Sequence, residues 1–287
     1  MRSEKSLTVS AIISHFSLLT SHFSLLSLTM IDIHCHILPG IDDGAFNTEE
    51  SIAMARQALA DGIRTIVATP HTLNGVSNNS LQDVTEHLES LRKNFSNEDL
   101  NLDLLPGSEI HLCVKIMDRV ASGEAVTIND NRRYALVEFP VHAIPPGYKD
   151  ELFHIKVKGI TPVIAHPERN PVFRQKPDIL FELAAMGCLF QITALSITGG
   201  FGSDTKAFAH RMLKCRLGHV IASDAHSAKG RPPLLSQAVE VAGKVMRDKK
   251  KAEEMVTTIP EAIIEGKPFY PPEPEPMQKK KRFFKFW

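Results

Sequence analysis

An α/β fold of parallel strands joined by helical crossovers, either a barrel or a doubly wound sheet, is what this 287-residue sequence predicts. Two observations carry the prediction. From Ile31 onwards, apolar strand-like runs alternate with helix-like segments about seven times. The last residues of those runs are repeatedly histidine, aspartate or glutamate, as expected of a barrel whose active site is built at the carboxyl ends of its strands. The length, with 43% hydrophobic residues, suffices to bury one full core.

The first run, IDIHCH (31–36), reads as a strand. Side chains alternate along a strand, so His34 and His36 share a face and Cys35 takes the other. The Pro39–Gly40 turn then returns Asp42 or Asp43 towards the same strand end. A helix follows, N-capped by Asn47 with Glu50 at N3 and stopped by Gly62. Residues 65–71 form the second strand, and 80–95 an amphipathic helix opened by Ser80. Residues 100–110 and 134–140 are the third and fourth strands. A helix at 148–159 leads into the fifth strand, 161–169, and one at 177–187 into the sixth, 188–193. A helix at 203–218 leads into the seventh strand, 219–227, and a last helix covers 234–246.

Strand by strand, the ends carry His34 and His36, then His71, Glu109, Glu138 and His166, and finally Asp224 and His226. The sixth strand, ending near Thr193, offers no strong ligand. A lone histidine is more often structural than a ligand. Imidazoles and carboxylates crowded at one end of a fold, however, need cations to neutralise them. The reading is a multinuclear metal site with carboxylate and imidazole donors and no thiolate, a set suited to manganese, iron or zinc.

Zero formal net charge gives no general argument for nucleic-acid binding, and none is expected. The four cysteines are scattered without a CxxC pair, which points to a reducing compartment. Residues 1–29 read as a low-complexity leader outside the fold. SHFSLLT and SHFSLLS repeat from Ser14, and His15, His22 and several serines interrupt the apolar stretch that a signal peptide would keep continuous. Met30 is the expected start. Residues 269–287 read as a flexible tail, rich in proline and glutamate and then basic and aromatic. Its end, 279–287, is suited to peripheral contact with anionic lipid.

Taken together, HxH at 34–36, ATPH at 68–71, GSEI at 107–110, VEFP at 137–140, AHPERN at 165–170 and SDAH at 223–226 resemble the PHP (polymerase and histidinol phosphatase) phosphoesterases. The wording is most similar to the bacterial capsule-type tyrosine phosphatases of the CpsB/CapC group. The resemblance covers residues 30–268 as a single domain and implies a distorted (β/α)7 barrel of the PHP type. It also implies three divalent metal ions, manganese first, with iron or zinc as alternatives. His34, His36, Glu109 and Asp224 would hold one metal. Glu109 would bridge to a second, shared with Glu138 and His166, and Asp43, His71 and His226 would hold the third. Adjacent cations lower the pKa of a shared water, so hydroxide is the expected nucleophile, and they clamp phosphoryl oxygens. Arg169 and Arg231 match the family's phosphate-contacting arginines, and guanidinium suits phosphate bidentately. The implied protein is a cytoplasmic, metal-dependent protein-tyrosine-phosphatase, with peripheral contact at the inner face of the membrane. Its substrate would be a phosphotyrosine protein, a bacterial tyrosine autokinase of exopolysaccharide and capsule synthesis. Homo-oligomerisation is left open.

Three rivals are weighed against this. Cys113 to Arg119 satisfies the C-x5-R spacing of cysteine-dependent tyrosine phosphatases. That chemistry needs a thiolate in a glycine-containing loop that cradles phosphate, whereas CVKIMDR has no glycine and reads as continuous helix. A histidinol-phosphate or other small-molecule phosphatase of the same family would share the ligands, but the loop wording favours the tyrosine group. A membrane-associated scaffold with a vestigial metal site is opposed by the complete ligand set.

Overall fold

A computed structural model describes residues 28–277. The leader expected over 1–29 therefore lies outside the described residues, apart from its last two positions, as do residues 278–287 of the tail. Nine strands occur among the described residues: β1 (Met30–Cys35), β2 (Ile63–Ala68), β3 (His71–Thr72), β4 (Asp103–Pro106), β5 (Glu109–His111), β6 (Tyr134–Glu138), β7 (Thr161–Ile164), β8 (Leu189–Thr193) and β9 (Val220–Ala222). They pair in the orders β1-β2-β4 and β3-β5-β6-β7-β8-β9. Every pairing is parallel, as the crossover pattern predicts.

Two single strands of the sequence reading are each broken in two. The second stops at Thr69–Pro70, where proline has no N–H to give a ladder, and resumes as β3. The third breaks at Gly107–Ser108, where the backbones approach so closely that a Cβ on Gly107 would lie 2.7 Å from Val67 Cγ1. The partner order survives both breaks: Ala68 pairs with Pro106 before them and His71 with Glu109 after.

The sheet curls until its two ends meet. Cys35 bridges to Ala225 in parallel, Asp224 N–H donates to His34 O at 2.8 Å, and His36 N–H donates to Ala225 O at 2.8 Å. Buried Asp32 fastens the same seam, accepting from the Ser223 hydroxyl and from Ser223 N–H at 3.0 Å. A small apolar cluster joins Ile31 and Ile33 to Leu136, Val163, Leu189 and Val220. Strands that are distant in the sheet order meet in it, which a flat sheet could not allow. A larger cluster packs the outer face of the sheet against the helices.

The crossover helices start and stop on the expected signals. In the helix Thr48–Asp61, the Asn47 side chain accepts from Glu50 N–H, and Gly62 closes the end in the left-handed region. Ser80 and Asp83 form a reciprocal capping box for Leu81–Asn97. Short helices at Pro171–Gln175, Lys249–Glu254 and Thr258–Ile264 were not legible in the periodicity.

Two strands end earlier than the sequence reading has them. The fifth stops at Ile164 and the seventh at Ala222, so His166 and Asp224 sit just past their strands, at φ 30° and 52°.

The tail also differs from expectation within its described part. Residues 269–277 are extended but attached: Phe269 packs on the inner cluster and its N–H donates to Tyr134 Oη at 3.1 Å. Glu275 pairs with Arg216 at 2.7 Å, and Met277 packs on the outer core. Among the described residues, no helix is long and apolar enough to cross a membrane.

Candidate metal centre

Just past β1 the chain reverses, with Gly40 N–H donating to Ala45 O and Ala45 N–H to His36 O. Gly44 permits the reversal, because a Cβ there would lie 2.2 Å from His36 O. The two aspartates of the reversal then take different tasks. Asp43 faces the cluster, with Oδ1 3.4 Å from His71 Nε2 and 3.5 Å from His226 Nε2. Asp42 stands behind His36, where Oδ2 accepts from Nδ1 at 2.7 Å and from His71 N–H at 3.0 Å.

Hydrogen bonds fix which nitrogen each imidazole presents. His36 Nδ1 donates to Asp42, and His34 Nδ1 donates to Gln191 Oε1 at 3.1 Å. Gln191 is held in that sense, since Oε1 also accepts His166 N–H at 3.1 Å and its amide nitrogen donates to Thr193 Oγ1. Nε2 is therefore the nitrogen that each ring turns towards the cluster. The two Nε2 atoms lie 3.2 Å apart, and each is 3.2 Å from Glu109 Oε2. Asp224 Oδ1 is 3.5 Å from one and 3.7 Å from the other. These four atoms thus converge in a buried space, an arrangement that a cation satisfies by displacing the protons the ring nitrogens hold.

Glu109 extends the cluster sideways. Its Oε1 is 2.7 Å from His166 Nε2. Its Oε2 is 3.1 Å from His71 Nδ1, yet both of these buried atoms lack a hydrogen-bond partner among the described residues. Their closeness without a hydrogen bond is what two donors to one metal would show. Glu138 approaches His71 at 3.9 Å and His166 at 3.8 Å.

Among the described residues, three groups could hold an ion: His34, His36, Glu109 and Asp224; His36, Asp43, His71 and His226; and His71, Glu109 and Glu138. The first is the set the resemblance implies. The second adds His36 to the implied set, and in the third His71 stands where the resemblance has His166.

Burial alone would raise the carboxyl of Glu109, but the neighbouring His34 and His166 outweigh it and hold it well below the usual range. Asp224 is lowered in the same way, with Arg169 and Arg231 adding to the two histidines. Burial opposes the charged form of His36, and the Asp42 carboxylate overrides it, taking His36 up to about 10. Arg169 ion-pairs with Asp224 Oδ2, and Arg231 reaches the same oxygen at 2.6 Å and the Asp224 carbonyl at 2.9 Å. Asp224 is thereby divided, Oδ1 to the cluster and Oδ2 to the arginines.

The cysteine alternative has no cradle. The helix expected to run through 113–119 begins only at Ile116, since Lys115 is left-handed at φ 61°, so Cys113 lies outside it. Burial raises its thiol, and Arg119 pairs with Glu124.

A family model described as capsular polysaccharide synthesis, CpsB/CapC, matches residues 30–265. The chain belongs to the CpsB/CapC family. It is 40% identical over 255 residues to the tyrosine-protein phosphatase YwqE of Bacillus subtilis (strain 168), covering 88% of this chain and 99% of that protein. It is 41% identical over 209 residues to the putative tyrosine-protein phosphatase CapC of Staphylococcus aureus, covering 72% of this chain and 81% of that one. A solved structure superposes with a TM-score of 0.82 at 39% identity, covering 87% of this chain and all of that one. It comes from work on YwqE from Bacillus subtilis and CpsB from Streptococcus pneumoniae, described as unique metal-dependent tyrosine phosphatases.

Sequence reasoning missed three residues of this CpsB/CapC site. Gln191 sits on the strand that seemed to offer nothing, and its alternation with Thr193 on β8 was the available signal. His111 Nδ1 lies 3.4 Å from Glu138 Oε2, two residues beyond Glu109 on the same strand face. Asp42 was narrowed out as a ligand, although its adjacency to Asp43 marked it as the residue behind.

Proposed function

We propose that this chain is a metal-dependent protein-tyrosine-phosphatase of capsule or exopolysaccharide synthesis. One observation carries the reading: His34 Nε2, His36 Nε2, Glu109 Oε2 and Asp224 Oδ1 converge as a buried ligand set beside two arginines fixed on the far oxygen of Asp224. The names of its relatives support the substrate class. We count β2 with β3 and β4 with β5 as single interrupted strands, which makes the fold a distorted (β/α)7 barrel. The ligands are His34, His36, Asp43, His71, Glu109, Glu138, His166, Asp224 and His226, holding three divalent ions, manganese first.

Divalent ions bound there would polarise phosphoryl oxygens and make a neighbouring water acidic at neutral pH. The chain's own residues do the rest. Asp42 and Gln191 keep the ring nitrogens of His36 and His34 aimed inward. Arg169 and Arg231 each have five guanidinium donors, so N–H groups beyond those on Asp224 remain for phosphate oxygens. The substrate is a phosphotyrosine protein, a tyrosine autokinase, met at the cytoplasmic face of the membrane.

The test is metal analysis of the purified protein, followed by turnover of a phosphotyrosine peptide and of histidinol phosphate before and after chelation. Metal-dependent turnover favouring the peptide is expected. Turnover that survives full chelation, or a tenfold preference for histidinol phosphate, would overturn the reading. The membrane contact of 279–287 is tested by co-sedimentation with anionic vesicles. Equal binding by the full chain and by a chain ending at residue 277 would remove it.

A further inference from the structure

The strand that supplies no strong ligand delivers an aromatic ring instead. β8 lies between β7 and β9 in the sheet, and the short helix that follows it, Ala194–Thr198, ends in a turn at 199–202. That turn is pinned: the N–H groups of Gly199 and Gly200 both donate to Leu195 O, at 2.9 and 2.8 Å, and Gly202 N–H donates to Gly199 O at 3.0 Å. It presents Phe201, partly buried, to both guanidinium groups. The ring centroid is 4.8 Å from the Arg169 guanidinium carbon and 5.6 Å from that of Arg231, both within cation–π range.

The two arginines need such a support. Both ion-pair with the single oxygen Asp224 Oδ2, so two positive groups crowd one negative atom and repel each other. Arg231 Nε is buried without a hydrogen-bond partner among the described residues, so none of them fixes that edge of its guanidinium. The ring's electron-rich face attracts both cations at once and hydrates neither.

We propose that Phe201 is a positioning residue whose ring holds Arg169 and Arg231 side by side, leaving their outer N–H groups set for the oxygens of a phosphoryl group. The proposal rests on the phosphatase reading for what the arginines receive, but not for the contact itself. It assigns to the turn after β8 a task that no ligand-type residue in the sequence marks.

The test compares Phe201→Leu, which keeps bulk without a cation-binding face, with Phe201→Tyr and Phe201→Trp, which keep the face. In the manganese-loaded full chain, Phe201→Leu should lower kcat on p-nitrophenyl phosphate roughly 5- to 30-fold, the size of a partly desolvated cation–π contact expressed as a rate. Bound metal should be unchanged, and Phe201→Tyr should restore most of the rate. In an Arg169→Ala, Arg231→Ala background, Phe201→Leu should change the rate by less than twofold, because the ring acts through the arginines. A rate loss of the same size in that background, or wild-type rates for Phe201→Leu, would overturn the proposal.

A second readout does not depend on turnover. The Nε–Hε resonances of Arg169 and Arg231 should carry ring-current shifts in the wild type and in Phe201→Tyr, lost in Phe201→Leu. Shifted resonances in a protein with no phosphatase activity would sink the phosphatase reading and leave the contact standing. Absence of the shifts sinks the contact whatever the activity.

Discussion

The Asp42 carboxylate accepts from Nδ1 of His36 at 2.7 Å, which leaves Nε2 as the nitrogen that ring can offer to a metal. The same carboxylate holds His71 N–H at 3.0 Å, so one side chain aligns two histidines of the cluster. Asp42→Asn keeps the size and an acceptor but removes the charge that makes the imidazole a strong donor. It should weaken metal binding by about 10–100-fold with little change in folding. Titration of the metal-free variant with Mn²⁺ measures this. Wild-type affinity would mean that the carboxylate behind His36 is only a loop contact.

Chelation separates the two possible nucleophile systems. Thorough removal of metal should abolish hydrolysis of p-nitrophenyl phosphate, and Mn²⁺ should restore it. Cys113→Ser should keep most of the activity, because burial raises this thiol and no glycine loop surrounds it. A folded but inactive Cys113→Ser protein, together with chelator resistance, would reverse the assignment.

The guanidinium groups of Arg169 and Arg231 reach the cluster through Asp224 Oδ2 and the Asp224 carbonyl, and arginine, which holds its proton, is not a metal donor. Replacing either with alanine should leave metal content intact while costing about 10²–10³ in rate, as for loss of one transition-state donor. The fall should appear in kcat at least as much as in KM, since the contact tightens as charge develops. His36→Ala and Asp224→Ala should instead lose metal and activity together. Near-wild-type kcat in both arginine variants would reduce them to partners of Asp224.

The residues of the cluster were legible because they are rare side chains placed by a strong period: an apolar run announces a strand, and its last residues are read directly. His34, His71, Glu109 and Glu138 were found in that way. Less was visible where backbone geometry decides. The breaks at Pro70 and Gly107 depend on how two neighbouring strands approach each other, and the left-handed turns at His166 and Asp224 carry no local mark. Gln191 and Phe201 were missed for a different reason. Neither is a ligand type, and each acquires its task only from residues supplied by other strands. The attachment of 269–277 was hidden by composition, since prolines and glutamates that cannot form a core can still lie along one.

His219 sits at the opposite end of β9 from the site, and its predicted effect is on stability. The ring is buried and stacks on Phe190 at 5.6 Å, and Nδ1 accepts the Phe190 N–H at 3.0 Å. Burial, with nearby Lys251 adding to it, pushes this histidine down from 6.5 to about 4. The unfolded chain therefore takes up the proton before the folded one does. The stabilisation is complete above pH 6.5, falls as pH drops from 6.5 towards 4, and levels off below that. A depression of that size amounts to about 3 kcal/mol at most. His219→Asn keeps an acceptor near the Phe190 N–H but cannot titrate. It should be less stable than the wild type at pH 7 and lose less stability on acidification. Urea unfolding midpoints of both proteins at pH 7, 5.5 and 4.5 measure the difference, with the titration of the metal-ligand residues common to both. Parallel acid limbs in the two proteins would show that the proton enters elsewhere.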